Sequence, residues 1–112
     1  MTETESGPSG AHLVQVLLPL RDPDGAAYPR ELYDGLAEQL KEQFGGVTAY
    51  TRAPATGLWE SPSGETVRDQ VVVYEVMVDR LEPAWWARFR TSLEAKFRQQ
   101  ELVIRAQTIV RL

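Results

Sequence analysis

Val71-Val72-Val73-Tyr74-Glu75-Val76-Met77-Val78 is the stretch that decides the fold. β-Branched residues dominate it, and alternation places Val72, Tyr74, Val76 and Val78 on one face and Val71, Val73, Glu75 and Met77 on the other. Both faces are largely apolar, which marks a central strand covered on both sides. A single carboxylate, Glu75, stands in the middle of the less regular face.

Upstream, His12 to Leu18 reads as a strand, with Val14, Val16 and Leu18 alternating against Leu13, Gln15 and Leu17 before Pro19 ends it. Pro29 suits the first turn of a helix, because its missing N–H is not needed there. Leu32, Tyr33, Leu36, Leu40 and Phe44 then recur at helical spacing, and Gly45-Gly46 is a helix stop. Val47 to Arg52 reads as a short strand. A long gap follows, in which Leu58-Trp59-Glu60 and Thr66-Val67-Arg68 flank Ser61-Pro62-Ser63-Gly64, the pattern of a small hairpin or flap.

Downstream, a second helix opens near Pro83 and carries Trp86, Phe89, Leu93 and Phe97 on one stripe, with Trp85 at its edge. Leu102 to Leu112 alternates over its whole length as the last strand. The element order is therefore βαββαβ. This is an α+β, ferredoxin-like sandwich: a four-stranded antiparallel sheet, two helices on one face, and an extra hairpin between strands 2 and 3. The helix stripes call for the cleaner strand faces, so the expected core is Val14, Val16, Leu18, Val72, Tyr74, Val76, Val78, Ile104, Ala106 and Val110.

The chain of 112 residues accommodates one such domain, expected over 12–112, with 1–11 as a disordered Thr-, Glu-, Ser- and Gly-rich tail. That start has neither the positive nor the apolar region of a signal peptide, and no apolar run approaches the roughly 20 residues of a membrane span. The expected compartment is the cytoplasm, with no membrane partner. With no cysteine, disulfides, thiolate catalysis and cysteine-ligated metals are excluded. A formal net charge of −4 argues against broad attraction to nucleic acid.

With the helices on one face, the other retains Leu13, Leu17, Val71, Val73, Met77, Val103 and Ile109, too apolar for a solvated sheet. A homodimer stacking sheet on sheet would cover it, an arrangement resembling the dimeric α/β barrel folds; a flap or the tail is the intramolecular alternative. The same face carries the main polar constellation. Glu75 falls on a central strand beside Gln15, with Arg105 and Arg52 on the flanking strands and Tyr50 nearby. A carboxylate among guanidiniums and a phenol could anchor a small anionic ligand, act as a base if burial raised its pKa, or serve as a salt-bridged seam fixing dimer register. The seam is the favoured of these. Trp59, in the flap, and Trp85 are aromatic-wall candidates for a pocket or interface, whereas Trp86 belongs to the core. The ligand-binding candidates are thus Tyr50, Arg52, Trp59, Glu75 and Arg105.

Other chemistries fit less well. Asp22, Asp24, Gly25 and Glu31 follow part of a calcium-loop template, but Leu20 takes the first ligand position and a strand precedes the loop, so a plain turn is expected and no metal. His12 is the sole imidazole, too few for a multi-histidine site. The glycines do not form a phosphate loop between strand and helix. RNA binding on an open sheet needs exposed aromatics on the central strands, which here offer only Gln15 and Glu75 among aliphatics.

Phe44-Gly45-Gly46-Val47-Thr48-Ala49-Tyr50, followed by Gly57-Leu58-Trp59 and the hairpin to Val71, resembles small uncharacterised bacterial domains with a ferredoxin-like fold. The resemblance implies the fold and no established activity. The reading that follows is a small dimeric α+β domain that binds a small molecule or a partner without a cofactor. The alternative is a small cofactor-independent enzyme, of oxygenase or isomerase type, with its pocket between sheet and flap.

Overall fold

The computed structural model describes residues 9–112, and for 9, 10, 52–55, 57, 59 and 67–69 the backbone alone. The disordered tail expected over 1–11 falls mostly outside the described residues. Its last part does not behave as a tail: β1 (Ser9–Pro19) begins three residues before His12, with Ser9 opposite Arg111. The remaining elements are α1 (Arg30–Phe44), β2 (Thr48–Glu60), β3 (Thr66–Val78), α2 (Pro83–Lys96) and β4 (Ile104–Arg111). They form the expected ferredoxin-like α+β sandwich. Its sheet is antiparallel with the order β2-β3-β1-β4.

α1 buries Leu36 and Leu40, and Leu32, Tyr33 and Phe44 pack against the same core. It ends at Gly45, which takes φ 88° and returns its N–H to the Lys41 carbonyl at 2.7 Å. Only a residue without a Cβ adopts that left-handed cap at no cost. α2 buries Trp86, Phe89 and Leu93, and Phe97 at its C-cap is buried with them. Phe97 is wholly buried, with the rings of Tyr28 and Tyr33 edge-on at 4.8 and 5.4 Å. Glu94 turns back to accept the Leu102 N–H at 3.0 Å, which ties the end of α2 to the approach of β4.

Trp85 is half-buried among other rings. It stacks on Phe89 at 5.0 Å and meets Phe44 edge-on at 4.9 Å, while Trp86 stacks on the other side of the cluster against Phe44 at 5.1 Å. The four rings join α2 to the end of α1, so the stripe's edge is interior here.

The seven expected core residues of β1 and β3 are all buried. Those of β4 are not: Ile104 is half-buried, Ala106 is exposed and Val110 is 61% exposed. β4 is an edge strand, and its outer half has no helix above it, so alternation alone overstates its burial.

The gap expected between strands 2 and 3 is filled by the strands themselves. β2 and β3 continue as one long hairpin to Glu60 and from Thr66, closed by a turn in which Ser61 donates its N–H to the Glu65 carbonyl at 2.7 Å. The expected hairpin is thus the outer end of the same two strands. Between Tyr50, opposite Val73, and Ala55, opposite Val71, the register slips. Pro54 lies inside that slip. It has no N–H for the ladder and is tolerated only at an edge or a bulge, and β2 supplies both.

Candidate functional site

On the face away from the helices, one row of residues crosses the sheet. Gln15 on β1 stands opposite both Glu75 on β3 and Arg105 on β4 in the register. Its amide bridges them: Nε2 donates to Glu75 Oε2 at 2.5 Å, and Oε1 accepts from Arg105 Nε at 2.8 Å. From the other side the Tyr50 hydroxyl of β2 hydrogen-bonds Glu75. The result is a polar chain, Tyr50, Glu75, Gln15, Arg105, with one member from each strand. Diagonal neighbours on a twisted antiparallel pair lie within reach of a long side chain, which is how Tyr50, opposite Val73, contacts Glu75.

The electrostatics follow from the contacts. The hydrogen bond to Glu75, and then the carboxylate's charge, hold the Tyr50 phenol above its ordinary pKa of 10.0, with desolvation adding in the same direction. Tyr50 therefore stays a neutral donor. Glu75 is half-buried, and Arg105 remains exposed. Within one chain Arg105 is bonded to Gln15, not to Glu75, so the row holds a carboxylate and a guanidinium separated by an amide.

Leu13, Leu17, Val71, Val73 and Ile109 surround the row half-buried, and Met77 and Val103 are about half exposed. The apolar open face expected from alternation is present. At one end it deepens into a cavity of about 610 Å³ between the turn from Phe44 to Thr48 and the row, with Leu13, Glu75, Met77 and Arg111 on its walls. That volume suits a small-molecule ligand. A second, larger cleft of about 810 Å³ opens at the opposite end under the loop from Arg98 to Val103, and the polar chain does not line it.

Of the sequence candidates, Tyr50, Glu75 and Arg105 are brought together. Arg52 and Trp59 lie on β2, but their side chains fall outside the described residues, so a pocket walled by the flap is not described either. The cavity adds Phe44, Gly45, Gly46 and Arg111, which sequence reasoning did not single out as site residues. Gly45-Gly46 was legible as a helix stop, and a stop that precedes the edge strand next to Glu75 is the signal that points to this wall.

The calcium template resolves into a turn. Asp22 Oδ1 accepts the N–H groups of Asp24 and Ala26, both at 2.9 Å, and its Oδ2 binds the Arg98 guanidinium at 2.7 Å. Those contacts occupy the carboxylate. No cluster of three His, Cys, Asp or Glu among the described residues could hold a metal ion, and no helix among them is long and apolar enough to cross a membrane.

No family model and no curated protein matches the chain. Among solved structures it is similar to a phage SAM lyase in complex with S-methyl-5'-thioadenosine, with a TM-score of 0.62 and 16% identity over 97% of this chain and 91% of that one. The phage SAM lyase in its apo state aligns with a TM-score of 0.55 and 16% identity over 100% of this chain and 91% of that one. At this identity the likeness concerns the fold.

Proposed function

We propose that this α+β domain binds a small molecule in the cavity beside Glu75, and that the ligand carries separated positive and negative charges. One observation carries the reading: the half-buried Glu75 carboxylate, fixed from two sides by Gln15 and Tyr50, forms a wall of a ligand-sized cavity that also presents the Arg111 side chain. A fixed carboxylate favours a cationic centre without reorganising, and a guanidinium nearby favours a carboxylate on the same molecule. The apolar walls, Leu13, Met77 and Phe44, leave room for a flat uncharged body.

S-adenosylmethionine has this distribution of groups, a sulfonium and an ammonium near a carboxylate with an adenosine attached. A protein of the same fold that acts on it makes it the first ligand to test. Calorimetric titration of S-adenosylmethionine and of the uncharged S-methyl-5'-thioadenosine is expected to show binding of the former with the higher affinity. Glu75→Gln should weaken the charged ligand by about tenfold or more, the value of a hydrogen bond to an ionised group, and the neutral one little. If neither compound binds at millimolar concentration, the ligand reading fails.

A cofactor-independent enzyme on the same site is favoured by the Tyr50–Glu75 contact, which puts a neutral proton donor against a carboxylate at the cavity. Chromatography of the titrated mixture for nucleoside products separates turnover from binding.

A further inference from the structure

We propose that a second copy of the chain covers the open sheet face, stacked sheet on sheet about a two-fold axis that runs along β1. The argument is the pattern of the face itself. β1 is flanked by β3 on one side and β4 on the other, and rotation about an axis along β1 lays β4 of the second copy over β3. In the row of Gln15 this sets Arg105 of the second copy opposite Glu75, and Glu75 of the second copy opposite Arg105. Two reciprocal ion pairs result from groups that, within one chain, are kept apart by the Gln15 amide.

Neighbouring rows match as well. Leu17 meets its own copy, and Val73, opposite Leu17 in the β1–β3 register, meets Val103, whose carbonyl accepts the Leu17 N–H. In the Leu13 row, Leu13 also meets its own copy, while Met77 faces the Gln107 amide of the second copy. Packed sheets cross at roughly 30° and lie about 10 Å apart. Glu75 and Arg105 each sit one strand, about 4.8 Å, from the axis, so that tilt displaces them little. An axis perpendicular to the strands gives the opposite result, carboxylate over carboxylate and guanidinium over guanidinium. Of these two axes, only the one along β1 makes the Gln15 row self-complementary.

The overlap is the 11 residues of β1 along the axis and, on either side of it, the rows from His12 to Leu17 that β3 and β4 share. These project roughly 400 Å² per copy, about 800 Å² in all before side-chain relief is counted, and that relief brings the contact toward the ~1,000 Å² at which specific interfaces begin.

β2 lies outside the overlap, two strands from the axis. The cavity beside Glu75 keeps its Phe44–Thr48 side open, but Leu13, Glu75, Met77 and Arg111 of the three overlapping strands also wall it, so β4 of the second copy covers part of it and its Arg105 competes with a cationic ligand for the carboxylate. This consequence rests on the ligand reading, whereas the assembly does not, so mass is measured without ligand.

Sedimentation or light scattering at micromolar concentration is expected to give twice the 12.6 kDa of one chain. Glu75→Arg and Arg105→Glu should each give monomers, because each places like charges opposite one another twice. An equimolar mixture of the two variants should recover the doubled mass, since a mixed pair restores both attractions. The double reversal in one chain should also dimerise, which covers the case in which a single variant misfolds. A native monomer, single variants that stay dimeric, or a mixture and a double reversal that both remain monomeric would each overturn the proposal.

Discussion

Replacing Gln15 with leucine tests whether the polar chain across the sheet contributes to stability or merely occupies it. Leucine has nearly the same volume and suits a strand, so the backbone register should survive. What disappears is one donor to Glu75 at 2.5 Å and one acceptor from Arg105 at 2.8 Å. A buried hydrogen bond to a charged group is worth ~1.5–3 kcal/mol. Two corrections reduce the total: Arg105 is exposed and can exchange its lost partner for water, and Glu75 keeps Tyr50 and borders the cavity. The leucine methyl groups recover some apolar burial. The net destabilisation should therefore be about 1–2 kcal/mol, a fall in Tm of roughly 5–15 °C for a domain of this size. Circular dichroism melting of native and variant protein at equal concentration measures it. The Tyr50 phenol should remain above its ordinary pKa in the variant, because its hydrogen bond to Glu75 does not pass through Gln15. An unchanged or raised Tm would show that the amide bridge adds no stability, and a Tyr50 titration back at the ordinary value would show that Gln15 is what holds Glu75 in place.

Two further outcomes concern the framework. Phe97→Ala empties a fully buried site between Tyr28 and Tyr33 and should cost about 3–5 kcal/mol, seen as a much lower urea midpoint; a loss below about 1 kcal/mol would mean that the corner collapses to fill the space. The Asp22 carboxyl is held below its ordinary 3.8, first by the Ala26 N–H, which desolvation opposes, and then by the Asp24 N–H and the Arg98 guanidinium. Because the folded pKa is the lower one, the unfolded chain binds more protons as pH falls through 3.8, so the Asp22 contribution is present above that value and is lost below it. Asp22→Asn should flatten the acid limb of the stability profile between pH 5 and 3 in proportion to that loss, and an acid limb identical to the native one would assign the loss to other carboxylates.

The fold was legible because its signals are local. Period-two alternation in 71–78 and the helical stripes of Leu36, Leu40, Phe89 and Leu93 each name a buried face without reference to the rest of the chain. What was not legible depends on neighbours. Val110 alternates as regularly as Val14, yet one lies on a central strand beneath helices and the other on an edge beyond them. From the sequence β2 reads as ending at Arg52, and only pairing with the continuous β3 carries it on to Glu60. The same division holds at the site. Alternation and strand order put Glu75, Gln15 and Arg105 in one row, but that the amide separates the two charges is a matter of side-chain reach. Nor does any local pattern mark Arg111 and the Gly45-Gly46 turn as walls of one cavity.

The separation of charges by Gln15 bears on what the face is for. A seam whose only task was to fix strands within one chain would place the guanidinium directly on the carboxylate, since neither side chain has far to go across one strand of the sheet. Here the amide satisfies one oxygen of Glu75 and one nitrogen of Arg105 and leaves both groups with unused valence toward the open side. Such groups stay solvated in an isolated chain, but among Leu13, Leu17, Val73 and Met77 they mark positions where water is to be displaced by something of matching charge. In the proposed assembly a second copy supplies that match, in the proposed ligand reading a zwitterion supplies it, and both draw on the Glu75 carboxylate. Dimerisation should therefore weaken binding of a cationic ligand, so that apparent affinity measured on Arg105→Glu monomers rises above that of the native assembly; an affinity equal to or below the native one would show that the two occupants do not share Glu75.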